Sequence, residues 1–176
     1  MPRKASAELV VDASVARAAG ETEHPVSRAC REFLQEVLKI CHRIVMTPEI
    51  RREWNTHRSR FAFSWLSSMT ARKKVVRVDS EENPQLRQAI CSLQVGEKER
   101  DAILKDIHLV EAALATGQTI VSLDDTLWGL LRQIAASVPS LRPVVWVNPV
   151  KEGEHATDGL GQGTTAGKRR QLGFNS

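Results

Sequence analysis

Apolar residues fall along this chain in short bursts separated by amphipathic stretches. Leu9-Val10-Val11 is a continuous apolar run closed by Asp12. A strand covered on both faces by helices reads in this way, so the run predicts a short buried strand. Over residues 25–44, Cys30, Phe33, Leu34, Val37, Leu38 and Cys41 recur at helical spacing. Ile44-Val45-Met46 predicts a second strand, and Thr47-Pro48 opens a helix, with Thr47 as N-cap and Pro48 in the first turn. Residues 61–69 predict a further helix, 75–78 a third strand, and 83–93 another helix ended before Gly96.

The second half of the pattern is sharper. Residues 105–125 read KDIHLVEAALATGQTIVSLDD, in which Ile107, Val110, Ala113 and Leu114 form one helical face opened by Asp106. Gly117 stands where a helix C-cap belongs. Residues 119–122 predict a strand running to Asp124, TLWGLLRQIAASV a helix, and residues 143–147 a last strand stopped by Asn148-Pro149. Strands alternating with helices predict one α/β domain over residues 1–150, with a largely parallel sheet. Residues 151–176 are rich in Gly, Thr and charge, and are expected to form a disordered basic tail. No internal repeat is present.

Composition narrows this little. The chain has 176 residues, 41% hydrophobic and 26% charged, which suits one globular domain. No apolar run approaches the ~20 residues of a membrane span, so no membrane is expected. The apolar segment near the N-terminus reads as a strand and not as a signal peptide. Cys30, Cys41 and Cys91 have no CxxC spacing. They argue against a disulfide framework or a zinc site, and fit a reducing, cytoplasmic setting. The charge distribution says more. Residues 51–77 carry eight basic side chains against one acid, Glu53, with His57, Phe61, Phe63 and Trp65 interleaved. Such a segment either binds phosphate or forms a solvated face whose stems cover apolar surface. Arg51, Arg52 and Arg58 are its candidates for holding a nucleic-acid backbone. Trp54, Phe61 and Trp65 can stack on bases or fill the core, and core is the expectation for most of them. Lys168-Arg169-Arg170 in the tail is a smaller cluster of the same kind.

A carboxylate at the mouth of a buried strand is costly unless it is paired, hydrogen-bonded or metal-bound. Ligands of open α/β sheets sit at the carboxyl ends of the strands, where Asp12 and Asp124 both belong. Glu53 follows the second strand, and Asp106 opens the helix leading to the Asp124 strand. Each acid also has a structural reading: Asp106 as an N-cap, Asp124 and Asp125 as turn or cap residues, Glu53 as a surface partner of Arg51, Arg52 or Arg58. Taken together they predict a shared site. Gathered carboxylates need a cation, and an all-oxygen set suits Mg²⁺ or Mn²⁺.

The stretches LVVDAS, TPEIRREW, KDIHLVEAALATG, TIVSLDD and VVWVNP, in this order, resemble the PIN-domain ribonucleases, which include the VapC-type toxins of toxin–antitoxin pairs. The resemblance covers residues 9–149. It implies a three-layer α/β/α fold around a mostly parallel sheet, and metal-dependent endoribonuclease activity with metal-activated water as nucleophile. It carries over Asp12, Glu53, Asp106 and Asp124 as metal ligands and catalytic residues, and Ser14 and Ser122 as hydroxyls that orient ligands or water. Asp125 is an auxiliary ligand or a helix cap. Glu49 competes with Glu53, and Asp101 with Asp106. His108 is expected on another side of the helix from Asp106, as a structural residue. RNA is the implied partner, with a protein antitoxin and a homodimer as arrangements known in the family. The alternative is a PIN-like binding or interaction module with little or no catalysis.

Overall fold

The first apolar run forms β1 (Glu8–Val11), in which Leu9, Val10 and Val11 are at most 1% exposed. The computed structural model describes residues 6–79, 82–160 and 165–175. Four further strands follow: β2 (Arg43–Met46), β3 (Val75–Arg77), β4 (Thr119–Val121) and β5 (Val145–Val147). All five pair in parallel in the order β3-β2-β1-β4-β5. The chain therefore grows outward from β1 in one direction, then returns to its other side. That reversal opens a crevice at the carboxyl ends of β1 and β4.

The helices are α1 (Ala13–Ala18), α2 (Pro25–Lys39), α3 (Pro48–His57), α4 (Arg60–Ala71), α5 (Pro84–Cys91), α6 (Glu97–Lys105), α7 (Ile107–Leu114), α8 (Asp125–Ile134), α9 (Pro149–Glu152) and α10 (Thr165–Arg169). One group packs α2 against α1, α4 and α9; another packs α6 against α5, α7 and α8, with α7 lying on β1 and β4. The result is a three-layer α/β/α arrangement around the parallel sheet, as the alternating pattern and the resemblance predict.

Local chemistry starts these helices. Thr47, Asn83 and Asn148 each precede a proline, and each accepts a hydrogen bond from a backbone N–H of the first turn (Ile50 at 3.2 Å, Leu86 at 3.0 Å, Val150 at 3.0 Å). The cap satisfies an orphan donor while proline presets the helical φ. Asn148-Pro149 thus ends β5 and also begins a helix.

Three expectations change. α7 opens at Asp106 as expected, but α6, which the pattern does not predict, precedes it without a loop and ends at the same residue (φ −109°, ψ 14°). Gly117 is not the C-cap: α7 is capped at Ala115, and the left-handed residue is Gln118 (φ 58°). Glycine is needed at 117 for another reason, since a Cβ there would stand 2.5 Å from the Glu8 carbonyl oxygen.

The third change concerns the segment expected to be a disordered tail. Its described part is docked on the domain. Ala156, Leu160 and Leu172 are buried, and Gln171 bridges antiparallel to Val145. The backbone N–H groups of Trp146 and Leu172 donate to the Arg170 and Val144 carbonyls at 3.0 and 2.9 Å. The free edge of β5 is what the tail covers, which removes a row of unpaired backbone groups. Arg170 secures it. Its guanidinium donates to the carbonyls of Ala156, Asp158 and His155 at 3.2, 2.6 and 2.6 Å, and to the Glu152 carboxylate at 3.0 Å. Residues 161–164 and 176 lie outside the described residues. Cys30 is buried and Cys41 and Cys91 are exposed, none of them in a disulfide among the described residues, and burial pushes the Cys30 thiol up to about 11. Among the described residues no helix is long and apolar enough to cross a membrane.

Arg170→Ala is expected to lower the unfolding free energy by about 2–3 kcal/mol, through loss of charge-assisted hydrogen bonds at a nearly buried site. Leu172→Ala is expected to cost a similar amount, about 2–3 kcal/mol. Urea denaturation followed by circular dichroism measures both; losses below about 0.5 kcal/mol, typical of surface positions, would show that the tail does not support the domain.

Candidate active site

The crevice beside β1 and β4 gathers acids from three places. Asp12 follows β1, Asp106 lies at the α6–α7 break, and Asp124 caps α8. All three line one pocket of about 350 Å³, together with Ser14, Arg17, His57 and Lys105.

Asp12 is held from both neighbours. Its N–H donates to the Val121 carbonyl at 2.9 Å, which continues the β1–β4 pairing. Its Oδ2 accepts from Ser14 Oγ at 2.6 Å and from Ser122 Oγ at 2.7 Å. These hydroxyls have second duties: Ser122 Oγ accepts from the Asp124 N–H at 3.0 Å, and Ser14 Oγ from the Leu123 N–H at 3.2 Å. Ser122 is fully buried. The two serines therefore orient the acid and fix the loop that carries Asp124.

Asp124 Oδ1 accepts from the Leu127 N–H at 2.8 Å, so its structural role as a helix cap is real, and it lines the pocket as well. A carboxylate at a helix N-terminus is favoured by the helix dipole. Asp106 has no such support: its side chain makes no capping hydrogen bond. Burial is the main reason its carboxyl is held above the ordinary range; the charges of Asp12 and Glu53 add to this, and Lys105 and His108 oppose it.

Glu53 is placed by its neighbour in sequence. Trp54 is fully buried, stacks on Trp65 with ring centroids 6.0 Å apart, and donates from Nε1 to the Val11 carbonyl at 2.9 Å. That bond pins α3 under the end of β1, one residue before Asp12. Glu53 then pairs through Oε2 with His108 Nε2 at 3.2 Å. Burial works against a charged His108 ring, but the hydrogen bond and charge of Glu53, with Asp106 and Asp12, outweigh it and push the imidazole up. Glu53 does not line the pocket of the three aspartates, although its charge is felt at Asp106. Glu49 lies 3.7 Å from Arg52 in an ion pair.

Asp125 is not brought to the other acids. Its Oδ1 accepts from Asn148 Nδ2 and its Oδ2 pairs with Lys151 Nζ, both at 3.1 Å. Among the described residues, no three His, Cys, Asp or Glu side chains form a group able to hold a metal ion.

The basic segment divides. Arg51, Arg52 and Arg58 do not line the pocket; Arg52 pairs with Glu49, and the Arg58 guanidinium sits 4.5 Å from the centroid of the exposed Phe63 ring. Lys74 is turned inward, donating to the carbonyls of Val37, Leu38 and Ile40 at 2.7, 2.9 and 2.5 Å, so it caps α2. Burial, with Arg72 beside it, lowers the Lys74 ammonium from its usual range, and Cys41 opposes this. Trp54 and Trp65 are core, and Phe61 is partly buried against it.

The cations that do line the pocket are Arg17, His57 and Lys105, none of them singled out for the site from sequence. His57 stands four residues after Glu53, hence on the same face of α3; Lys105 adjoins Asp106. His108 was expected on another side of the helix from Asp106, as a structural residue; it does not line the pocket, and it pairs with Glu53.

No protein-family model and no curated protein matches this chain.

Ser122→Ala removes a donor from Asp12 and an acceptor from the Asp124 N–H. It is expected to cost about 1–3 kcal/mol of stability in metal-free buffer, because buried polar groups are left unpaired. Urea denaturation at neutral pH measures this, and a loss under about 0.5 kcal/mol would mean the hydroxyl does not hold Asp12.

Proposed function

We propose that this protein is a metal-dependent ribonuclease of the PIN-like kind. The observation that carries the reading is the convergence of Asp12, Asp106 and Asp124 on one pocket at the crevice between β1 and β4, ringed by Arg17, His57 and Lys105. The donor set fits Mg²⁺ or Mn²⁺, since all its ligands are hard oxygens. The absence of a closed group of three acids is compatible with that fit. Mg²⁺ keeps several waters and is commonly held by one or two carboxylates plus substrate phosphate, and a pocket of about 350 Å³ has room for a hydrated ion.

Asp12, Asp106 and Asp124 would hold the ion, with Glu53 near. When bound, it would supply activated water and neutralise charge on the scissile phosphate. The chain's own residues do the rest. Ser14 and Ser122 keep Asp12 in one orientation. His108 steadies Glu53. Arg17, Lys105 and His57 offer positive charge to a phosphate backbone, which favours binding without reading sequence. Single-stranded or looped RNA suits this open site, because its backbone and bases are accessible.

A second reading, a nucleic-acid-binding module without turnover, is favoured by one observation: the acids do not form a ready metal group.

The test compares wild type with Asp106→Asn on mixed structured and single-stranded RNA, in Mn²⁺, Mg²⁺ or EDTA. Metal-dependent cleavage that falls by at least about a hundredfold in the variant supports the nuclease. Equal cleavage by both removes the site. The same proteins are melted with and without Mn²⁺. Wild type is expected to gain stability on binding the ion, and Asp106→Asn to lose that gain while melting higher than wild type in EDTA, because a half-buried, repelled charge is gone. Stabilisation by Mn²⁺ without cleavage would favour the binding module.

A further inference from the structure

A second cavity lies on the other side of α8. Asp124 and Leu127 line the acidic pocket, whereas Asp125 and Trp128 line a cavity of about 120 Å³ that is closed by Trp146 of β5 and by the docked tail. Trp146 is 5% exposed, and its indole Nε1–H is buried with no acceptor among the described residues. A buried N–H without a partner is uncommon in a folded protein and calls for an acceptor from elsewhere.

The rest of the wall limits what that acceptor belongs to. Trp128 offers an aromatic face, with the Arg132 guanidinium 5.1 Å and Lys151 Nζ 5.6 Å from its ring centroid. Lys151 is paired with Asp125, and Arg170 with Glu152 and tail carbonyls. Arg132 and Arg169 have no acidic partner among the described residues, and both line the cavity. Anionic charge, a flat ring and an acceptor on its edge are therefore wanted together. A cavity of about 150 Å³ holds benzene; at about 120 Å³ this one admits at most a single six-membered ring, with its substituents lying in the open mouth, and not a fused pair.

We infer that this cavity holds one pyrimidine base of a nucleic-acid strand, its ring carbonyl accepting from Trp146 Nε1–H and its adjoining phosphate facing Arg132 and Arg169. The choice of RNA as that strand rests on the ribonuclease reading. Asp124 lines the acidic pocket and Asp125 this cavity, at the start of α8, so a strand bound at both would round the N-terminal end of that helix. The cavity thus supplies base preference beside a site whose other contacts are to backbone.

The full-length protein, labelled with ¹⁵N, is titrated in EDTA with UMP, CMP, AMP, GMP and ribose 5-phosphate while the indole N–H signals are followed. UMP and CMP are expected to move the Trp146 signal saturably, at concentrations at least about tenfold below AMP and GMP, and ribose 5-phosphate to leave it in place. Arg169→Ala, at an exposed position, is expected to weaken UMP binding about fivefold to tenfold. Trp146→Phe keeps an aromatic ring and is expected to weaken it similarly, read from the Trp128 signal. No shift with any nucleotide overturns the inference, as does equal response to purines or to the sugar phosphate alone. EDTA keeps cleavage out of the readout. A protein that cuts RNA but shows no shift loses the cavity and keeps the nuclease; a shifted signal in a protein that never cuts does the reverse.

Discussion

The pairing of β1 with β4 is the constraint on which the rest depends. It sets Val11 opposite Val121, and so brings the residue after each strand into one crevice. A half-buried carboxylate at that point needs donors. Ser122 provides one because it directly follows β4, and Ser14 another because it lies in the first turn of α1. Hydrogen bonds to a charged group contribute more than neutral ones, roughly 1.5–3 kcal/mol each. A register slip of one residue would turn Ser122 to the opposite face, and Asp12 would lose its partner while the loop to Asp124 lost its anchor. Fold and site are therefore stabilised by the same few contacts.

Much of this was legible in the chain. All five strands stand where short apolar-rich runs predicted them; β1 and β4, central in the sheet, are buried along most or all of their length and leave the clearest mark, whereas the edge strand β3 is only partly buried. The helix starts at Thr47-Pro48 and Asp124 were legible as local capping chemistry. Convergence of Asp12 with Asp124 was legible only conditionally, since it required β1 and β4 to be neighbours, and strand order is decided by tertiary packing. The helix start at Asp106 was legible, but the arrival of α6 at the same residue was not, since neither glycine nor proline separates the two helices. His108 was expected only as a structural residue on another side of the helix, and its pairing with Glu53 went unseen.

Charge and composition misled in two places, for related reasons. The basic segment over 51–77 looked uniform as a count. Yet Lys74 spends its three donors on α2 carbonyls while Arg58 lies over Phe63. A net charge does not distinguish a helix cap from a phosphate contact. The glycine-rich tail looked unable to bury enough apolar surface to order itself. It does not order itself alone. The open edge of β5 supplies backbone partners, and Arg170 supplies several charge-assisted bonds from one side chain. A few anchors suffice when the surface that receives them is already folded.

The same helix end separates two chemistries. Asp124 belongs to the acidic pocket, and Asp125 is neutralised by Lys151 at the edge of an aromatic, cationic cavity. Had both acids faced one way, the negative charge around Asp106 would be higher still, in a place where burial already holds that carboxyl above its ordinary range. Dividing them keeps the Asp125 charge, already paired with Lys151, out of the acidic pocket. The division depends on the tail, because Lys151, Glu152 and Arg170 form one connected set with Asp125 at one end and the β5 edge at the other. The segment that completes the sheet is also the one that keeps the two pockets electrostatically distinct.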